Sequence, residues 1–122
     1  MARILIVDDN PDVRAALRDT LEAEAHEVSE AKDARDIVDT VLTTAPDAVL
    51  MDVTMRGIDG FQALSQLRAN ASTAAVPIIM VTARSQKKDL VKARDLGAQD
   101  YIIKPWASGE VEQRLRRLLK PS

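Results

Sequence analysis

The stretch Ala48-Val49-Leu50-Met51-Asp52 shows the pattern that decides the fold, a short apolar run that stops at a carboxylate. Similar apolar runs cover residues 4–7, 77–81 and 101–103, and a more charged run covers residues 27–31. Continuous apolar runs of this length are typical of strands in a parallel sheet that is covered on both faces. The charged run favours a position nearer the edge of that sheet.

Longer amphipathic segments separate these runs and predict five helices. The predicted helices are one after Asn10-Pro11 with a stripe of Val13, Ala16, Leu17 and Leu21; one over residues 34–42, capped by Asp33 and broken by Pro46; one after Gly57 and Gly60 with Phe61, Leu64 and Leu67; one over residues 86–96, ended by Gly97; and one from about Ser108 to Pro121 with Val111, Leu115, Leu118 and Leu119. In the second helix, Ile37, Val38, Val41 and Leu42 are expected to face the core. Five strand–helix units predict an open, doubly wound α/β sheet, since a closed eight-unit barrel needs roughly 250 residues.

Composition limits the classes of function. The chain has 122 residues, 46% hydrophobic and 30% charged, with a net charge of −2. These values predict one domain over residues 1–122 and give no reason to expect nucleic-acid or membrane binding. The absence of cysteine excludes disulfides, thiolate nucleophiles and zinc–thiolate sites. No apolar run is long enough for a signal peptide or a membrane span, so we expect a cytoplasmic protein.

The polar residues that follow the apolar runs form the candidate site. Asp8 and Asp9 follow the first strand, Asp52 the third, Thr82 the fourth and Lys104 the fifth. Because ligands of open parallel sheets bind outside the carboxyl ends of the strands, these side chains are expected to converge at one edge. A single carboxylate would fit equally well as a helix cap, but three together repel one another unless a cation is bound. Oxygen ligands without His or Cys favour Mg²⁺, with Mn²⁺ or Ca²⁺ as alternatives.

These residues, in this order, resemble the receiver domain of two-component response regulators over nearly the whole chain, from Arg3 to about Leu119. The motifs that carry the resemblance are Asp8-Asp9, Asp52, Thr82-Ala83, Gly97-Ala98-Gln99-Asp100-Tyr101 and Lys104-Pro105. Each motif is weak alone, and their order and spacing at successive strand ends make the set specific. The resemblance implies a flavodoxin-like sheet with strand order 2-1-3-4-5 and a cis Lys104–Pro105 peptide bond.

The resemblance also implies a phosphorylation-dependent signalling switch rather than a classical enzyme, one that catalyses its own phosphorylation and dephosphorylation. Asp52 would be the phosphoacceptor, and a sensor histidine kinase or a histidine phosphotransfer protein would supply the phosphoryl group. Asp9, Asp52 and the backbone carbonyl of Thr54 would ligate Mg²⁺, with Asp8 acting directly or through a water. In physical terms this is phosphoryl transfer by positioning and charge neutralisation.

By the same resemblance, Lys104 would pair first with Asp52 and then with the phosphoryl group, while the Thr82 hydroxyl would move onto another phosphoryl oxygen. Tyr101 would turn inward as Thr82 moves and would change the surface of the fourth helix, fifth strand and fifth helix, where an unknown output protein would bind. A plain strand residue with a solvated hydroxyl is the simpler interpretation of Tyr101. The cations of this surface, which suit an acidic partner or an ordinary solvated face, are Lys87, Lys88, Lys92, Arg94, Arg114, Arg116, Arg117 and Lys120.

The sequence also bears on other classes of protein. A haloacid-dehalogenase-type phosphatase has Asp-x-Asp after its first strand, and Asp52-Val53-Thr54 lacks the second carboxylate. A nucleotide- or flavin-binding module is disfavoured because no glycine-rich loop follows the first strand. A receiver-fold interaction module without phosphorylation and a phosphorelay shuttle stay open. The sequence departs from the receiver pattern at Arg56, where the family often has proline.

Overall fold

In a computed structural model, which describes residues 1–120, five β-strands alternate with five α-helices. The strands are β1 (Arg3–Val7), β2 (Glu27–Ala31), β3 (Ala48–Met51), β4 (Ile78–Thr82) and β5 (Asp100–Ile103). The helices are α1 (Pro11–Ala23), α2 (Ile37–Thr44), α3 (Gly60–Ala69), α4 (Lys87–Asp95) and α5 (Glu110–Leu119). The predicted stop at Pro121 lies outside the described residues.

All neighbouring strands are parallel, and their order is β2-β1-β3-β4-β5. The predicted doubly wound, flavodoxin-like α/β sheet is therefore confirmed. The register pairs Val7 with Met51, Met51 with Met80, and Thr82 with Ile103. The carboxyl ends of β1, β3, β4 and β5 therefore reach the same edge of the sheet. That edge is where the candidate polar residues follow in the sequence.

The sheet separates two apolar layers, because successive side chains of each strand point to opposite faces. On one face, Ile4, Ile6 and Leu50 of the sheet pack in a cluster with side chains of α1 and α5. On the other face, Leu5 and Met51 pack in a cluster with side chains of α2, α3 and α4. Burial of both faces explains why the strands read as continuous apolar runs rather than alternating ones.

The start of the second helix differs from the prediction. The helix begins at Ile37 rather than at residue 34, after Asp36 in a left-handed conformation with φ of 57°. Asp33 does not cap it: its Oδ1 accepts a hydrogen bond from the backbone N–H of Arg35 at 3.0 Å. Short acidic side chains often form such local turns in place of a cap. Leu42, predicted to face the core, is 49% exposed.

Smaller differences concern element ends and one side chain. Pro77 precedes β4 rather than opening it, although its carbonyl still accepts a hydrogen bond from Val49 N–H at 2.9 Å. The last helix starts at Glu110, after Gly109 at φ of 81°, rather than near Ser108. Ala16, expected on the inner stripe of α1, is exposed. Within residues 1–120, no helix has both the length and the apolar character needed to cross a membrane.

Candidate functional site

The backbone of the sheet holds the candidate residues in place, because its hydrogen bonds continue one residue past the strands. The N–H of Asp52 donates to the carbonyl of Val7 at 3.0 Å, and the N–H of Lys104 donates to the carbonyl of Thr82 at 2.8 Å. The N–H of Asp8 similarly donates to the last carbonyl of β2 at 3.1 Å. These side chains therefore project from a rigid edge rather than from a free loop.

One ammonium group joins two carboxylates at the centre of this edge. Lys104 Nζ donates to Asp8 Oδ2 at 2.8 Å and to Asp52 Oδ2 at 3.0 Å. Asp8 is 2% exposed and Asp52 is 7% exposed, so both carboxylates are largely removed from water. Two buried negative charges thus share one positive charge, which leaves the centre with an excess of negative charge.

The pKa values of the site reflect this crowding. Burial raises the pKa of Asp8 above its ordinary value, and hydrogen bonds from Lys104 and from the backbone N–H of Asn10 offset only part of that rise. Burial by itself would lower the pKa of Lys104, but the hydrogen bonds to Asp8 and Asp52 outweigh it, and the net pKa is raised. Lys104 is therefore held in its charged form, while ionisation of Asp8 is opposed.

Asp9, a predicted metal ligand, and the second oxygen of Asp52 have other hydrogen-bond partners. Asp9 Oδ2 accepts a hydrogen bond from the backbone N–H of Arg56 at 3.2 Å, and Asp52 Oδ1 accepts one from Thr54 N–H at 3.2 Å. In the part of the chain that the structure describes, no three Asp, Glu, His or Cys side chains are grouped as a ready-made metal cage. The donors present are oxygens, and Mg²⁺ commonly uses only one or two carboxylates together with waters.

The two residues predicted to form the switch meet through one loop residue. Thr82 is fully buried, and its Oγ1 accepts a hydrogen bond from Arg84 N–H at 3.4 Å. The Tyr101 hydroxyl donates to the Arg84 carbonyl at 2.7 Å, so it is bonded to protein rather than only solvated. Burial is the main cause that raises the pKa of Tyr101 to about 12, and the nearby charge of Asp89 adds to it.

Sequence reasoning missed the ion pair that fixes this loop. The Arg84 guanidinium contacts Asp89 Oδ1 at 3.1 Å, and Asp89 is buried in the first turn of α4. Arg84 also lies 5.9 Å from the centre of the Phe61 ring, within the range of a cation–π contact. No periodic pattern marks such a pair, because the two side chains meet only after the loop between β4 and α4 has folded back.

Gly60 is a second feature of the site, and the sequence analysis predicted only a turn and a helix start there. Its N–H donates to the carbonyl of Val53 at 2.7 Å, which brings the start of α3 against the backbone of the phosphoacceptor candidate. A Cβ atom at this position would lie 2.1 Å from the carbonyl oxygen of Asp52. Only glycine allows this close approach. The signal available in the sequence was a glycine at a helix start, which does not say what it approaches.

Comparison with known families identifies the class of protein. The model of the response regulator receiver domain matches residues 4–116, which is most of the chain. The chain belongs to this family. Receiver domains are signalling domains rather than classical enzymes, they generally bind Mg²⁺ at the phosphorylation site, and their partners are histidine kinases or phosphotransfer proteins.

Individual relatives agree with this assignment. The chain is 46% identical over 105 residues to the protein PilH of Pseudomonas aeruginosa, covering 86% of this chain and 87% of that protein. It is 40% identical over 118 residues to the response regulator MprA of Mycolicibacterium vanbaalenii, covering 97% of this chain but only 50% of that protein. The chain thus spans about half the length of the MprA relatives.

Solved structures show the same fold. A response regulator structure from Chloroflexus aurantiacus superposes with a TM-score of 0.92 at 30% identity, covering 98% of each chain. The BeF3-activated receiver domain of Klebsiella pneumoniae RstA gives a TM-score of 0.90 at 25% identity, covering 98% of this chain and 99% of that one. Together with the family match, these relatives make the protein a phosphorylation-dependent signalling switch, and an interaction module without phosphorylation is not favoured.

Proposed function

We propose that Asp52 is the residue that accepts the phosphoryl group, from a histidine kinase or a histidine phosphotransfer protein. The observation that carries the proposal is the shared contact of Lys104 with Asp52 and Asp8, at 3.0 Å and 2.8 Å, at the carboxyl edge of the sheet. Asp52 lies at the end of the central strand β3 and keeps a small exposed fraction of 7% through which a donor can reach it.

In the proposed reaction, a carboxylate oxygen of Asp52 attacks phosphorus, and the phosphorus–nitrogen bond of the donor phosphohistidine breaks. The ammonium of Lys104 then moves from the Asp52 carboxylate to a phosphoryl oxygen, where it balances the added negative charge. The raised pKa of Lys104 supports this role, because the ammonium stays protonated at neutral pH. The hydrolysis of the resulting acyl phosphate resets the switch, and the domain itself catalyses both steps.

We assign the Mg²⁺ ligands to Asp9, Asp52 and the backbone carbonyl of Thr54, with Asp8 ligating directly or through a water. The donor set is entirely oxygen, which suits Mg²⁺ and also Mn²⁺. Within residues 1–120, the hydrogen-bond partner of the Asp9 carboxylate is the backbone N–H of Arg56, so the carboxylate is available to a cation. When bound, the ion supplies positive charge that lowers the repulsion between these carboxylates and an incoming phosphoryl group.

The signal leaves the site through Thr82 and Tyr101. In this proposal the Thr82 hydroxyl turns to a phosphoryl oxygen, and Tyr101 gives up its 2.7 Å hydrogen bond to the Arg84 carbonyl and turns inward. The surface of α4, β5 and α5 changes as a result, and an output protein binds there. We further propose that residues 1–122 act as one receiver domain in the cytoplasm, the compartment that the sequence predicts.

The test is phosphorylation with phosphoramidate and Mg²⁺, followed by intact-mass measurement. The wild-type protein should gain the mass of one phosphoryl group, and the adduct should be lost on treatment with hydroxylamine and absent when EDTA replaces Mg²⁺. Asp52→Asn should gain nothing, whereas Asp19→Asn, a matched change on the exposed side of α1, should behave as wild type. An adduct that persists in Asp52→Asn would disprove the assignment of the acceptor.

A further inference from the structure

A cationic cavity of about 740 Å³ opens next to the candidate phosphorylation site. It lies between the loop that follows β2 and the loop that follows β3, and its lining includes Asp9, Lys32, Asp33, Arg35 and Arg56. Asp9 belongs both to this cavity and to the proposed Mg²⁺ site. The cavity therefore begins at a residue of the proposed Mg²⁺ site.

The charges of the cavity are not balanced internally. Arg35 is engaged with Asp33 at 3.3 Å. Among the ion pairs within residues 1–120, none includes Lys32 or Arg56, and both side chains are exposed. Arg56 is held at the site by its own backbone, because its N–H donates to Asp9. The side chains of Lys32 and Arg56, which are in no ion pair within residues 1–120, thus line a cavity that begins at Asp9, the proposed metal ligand.

We infer that Arg56 and Lys32 bind the anionic leaving group of small acyl phosphates and so determine which small phosphodonors this protein uses. The inference rests on the proposed phosphorylation of Asp52. A planar guanidinium matches the two oxygens of a carboxylate, and it stabilises best the site where negative charge develops during the reaction. The volume is ample for an acyl group in addition to the phosphoryl group.

The chemistry provides an internal comparison between two donors. With acetyl phosphate, Asp52 forms a bond to phosphorus, the bond from phosphorus to the acyl oxygen breaks, and the electron pair leaves on acetate. With phosphoramidate, the same bond to Asp52 forms, the phosphorus–nitrogen bond breaks, and the already protonated nitrogen leaves as neutral ammonia. Only the first donor releases an anion, so only the first should depend on the two cations of the cavity.

The experiment measures the rate constants of Asp52 phosphorylation with both donors at fixed Mg²⁺ and ionic strength. The ratio of the acetyl phosphate rate constant to the phosphoramidate rate constant should fall about two- to fivefold in Arg56→Ala, and further in the double variant Lys32→Ala/Arg56→Ala. Arg56→Lys, which keeps the charge, should retain part of the ratio. Arg3→Ala, an exposed change of equal charge at the start of β1, should leave the ratio unchanged.

The outcomes separate this inference from the proposed function. A ratio that stays constant in the double variant, while phosphoramidate still modifies Asp52, would overturn the role of the cavity and leave the phosphoacceptor intact. If neither donor modifies Asp52 in the wild type, the proposed function fails and this inference fails with it. A loss of both rates in equal proportion would show that the cations act on the loop or on the phosphoryl group itself, and it would also overturn the inference.

Discussion

Replacing Lys104 by methionine should destabilise the protein strongly, because it leaves two buried carboxylates without their shared cation. Methionine has a similar length to the lysine stem, so packing changes little. Asp8 and Asp52 are only 2% and 7% exposed and cannot recover hydration by turning into solvent. Removing one partner of a buried ion pair typically costs about 3–5 kcal/mol.

Proton uptake limits this loss and makes it depend on pH. The pKa of Asp8 is already raised in the wild type, and loss of Lys104 removes a hydrogen bond that lowers it, so the pKa rises further in the variant. Protonating one carboxyl with an ordinary pKa of about 3.9 costs about 4 kcal/mol at pH 7 and about 1.5 kcal/mol at pH 5. A group whose folded pKa is raised loses its stabilising protonated form as pH rises. We therefore expect a loss of about 3–4 kcal/mol at pH 7 that shrinks to about 1.5 kcal/mol at pH 5.

Urea unfolding followed by far-ultraviolet circular dichroism, at pH 5 and pH 7 without Mg²⁺, measures this effect. Domains of this size have a free energy of unfolding of about 5–15 kcal/mol, so the variant should still fold. Lys88→Met, an exposed change on α4, is the matched control and should be nearly neutral. Adding Asp8→Asn to Lys104→Met should restore most of the loss. A small loss that is equal at both pH values would refute the electrostatic account of the site.

Three further predictions concern the surroundings of the site. Gly60→Ala places a Cβ 2.1 Å from the carbonyl oxygen of Asp52. The variant should lose about 1–3 kcal/mol of unfolding free energy in urea and should react more slowly with phosphoramidate. An unchanged labelling rate would contradict the close approach. Tyr101 is the single tyrosine, and because burial raises its pKa, its ultraviolet titration should have a midpoint at about 12. A midpoint near the ordinary value of about 10 would show that its hydroxyl is exposed to solvent rather than buried. Arg84→Ala should destabilise the protein more than Asp89→Ala, because it leaves the buried Asp89 carboxylate without its partner. Asp89→Ala should cost about 1 kcal/mol, since the Arg84 side chain is 46% exposed and can rehydrate. The reverse order in urea unfolding would contradict this ion pair.

Much of the fold could be predicted because its strands are buried on both faces. Continuous apolar runs such as Ala48–Met51 identified four strands, and a more charged run identified β2, all to within one residue. The strand order followed from the family resemblance. The start of the second helix was harder to predict, since both Asp33 and Asp36 precede it. Asp33 closed a local turn instead of capping the second helix, and the helix began three residues later than predicted.

The candidate site was predictable for the residues that the backbone positions and not for those that only side chains position. Asp8, Asp52 and Lys104 meet because strand order and register bring their strand ends together. The Arg84–Asp89 pair depends on how a loop folds back, and no spacing rule in the sequence encodes that path. Sequence reasoning also paired Lys104 with Asp52 alone, because it had no means of measuring the distance to Asp8.

The shared position of Lys104 links phosphorylation of Asp52 to the environment of Asp8 in the proposed switch. Without a phosphoryl group, the ammonium sits between two carboxylates and satisfies both at 2.8 Å and 3.0 Å. In the proposed reaction, a phosphoryl group on Asp52 would add negative charge and draw the ammonium away, so Asp8 would lose its hydrogen bond and rely on another cation or take up a proton. Phosphorylation of this protein should therefore be coupled to Mg²⁺ affinity through Asp8, and Asp8→Asn should weaken that coupling by reducing the charge that the cation must balance. Titration of Mg²⁺ against wild type and Asp8→Asn, each with and without the phosphoryl analogue BeF3, measures the coupling; an identical shift in both proteins would separate Asp8 from the metal.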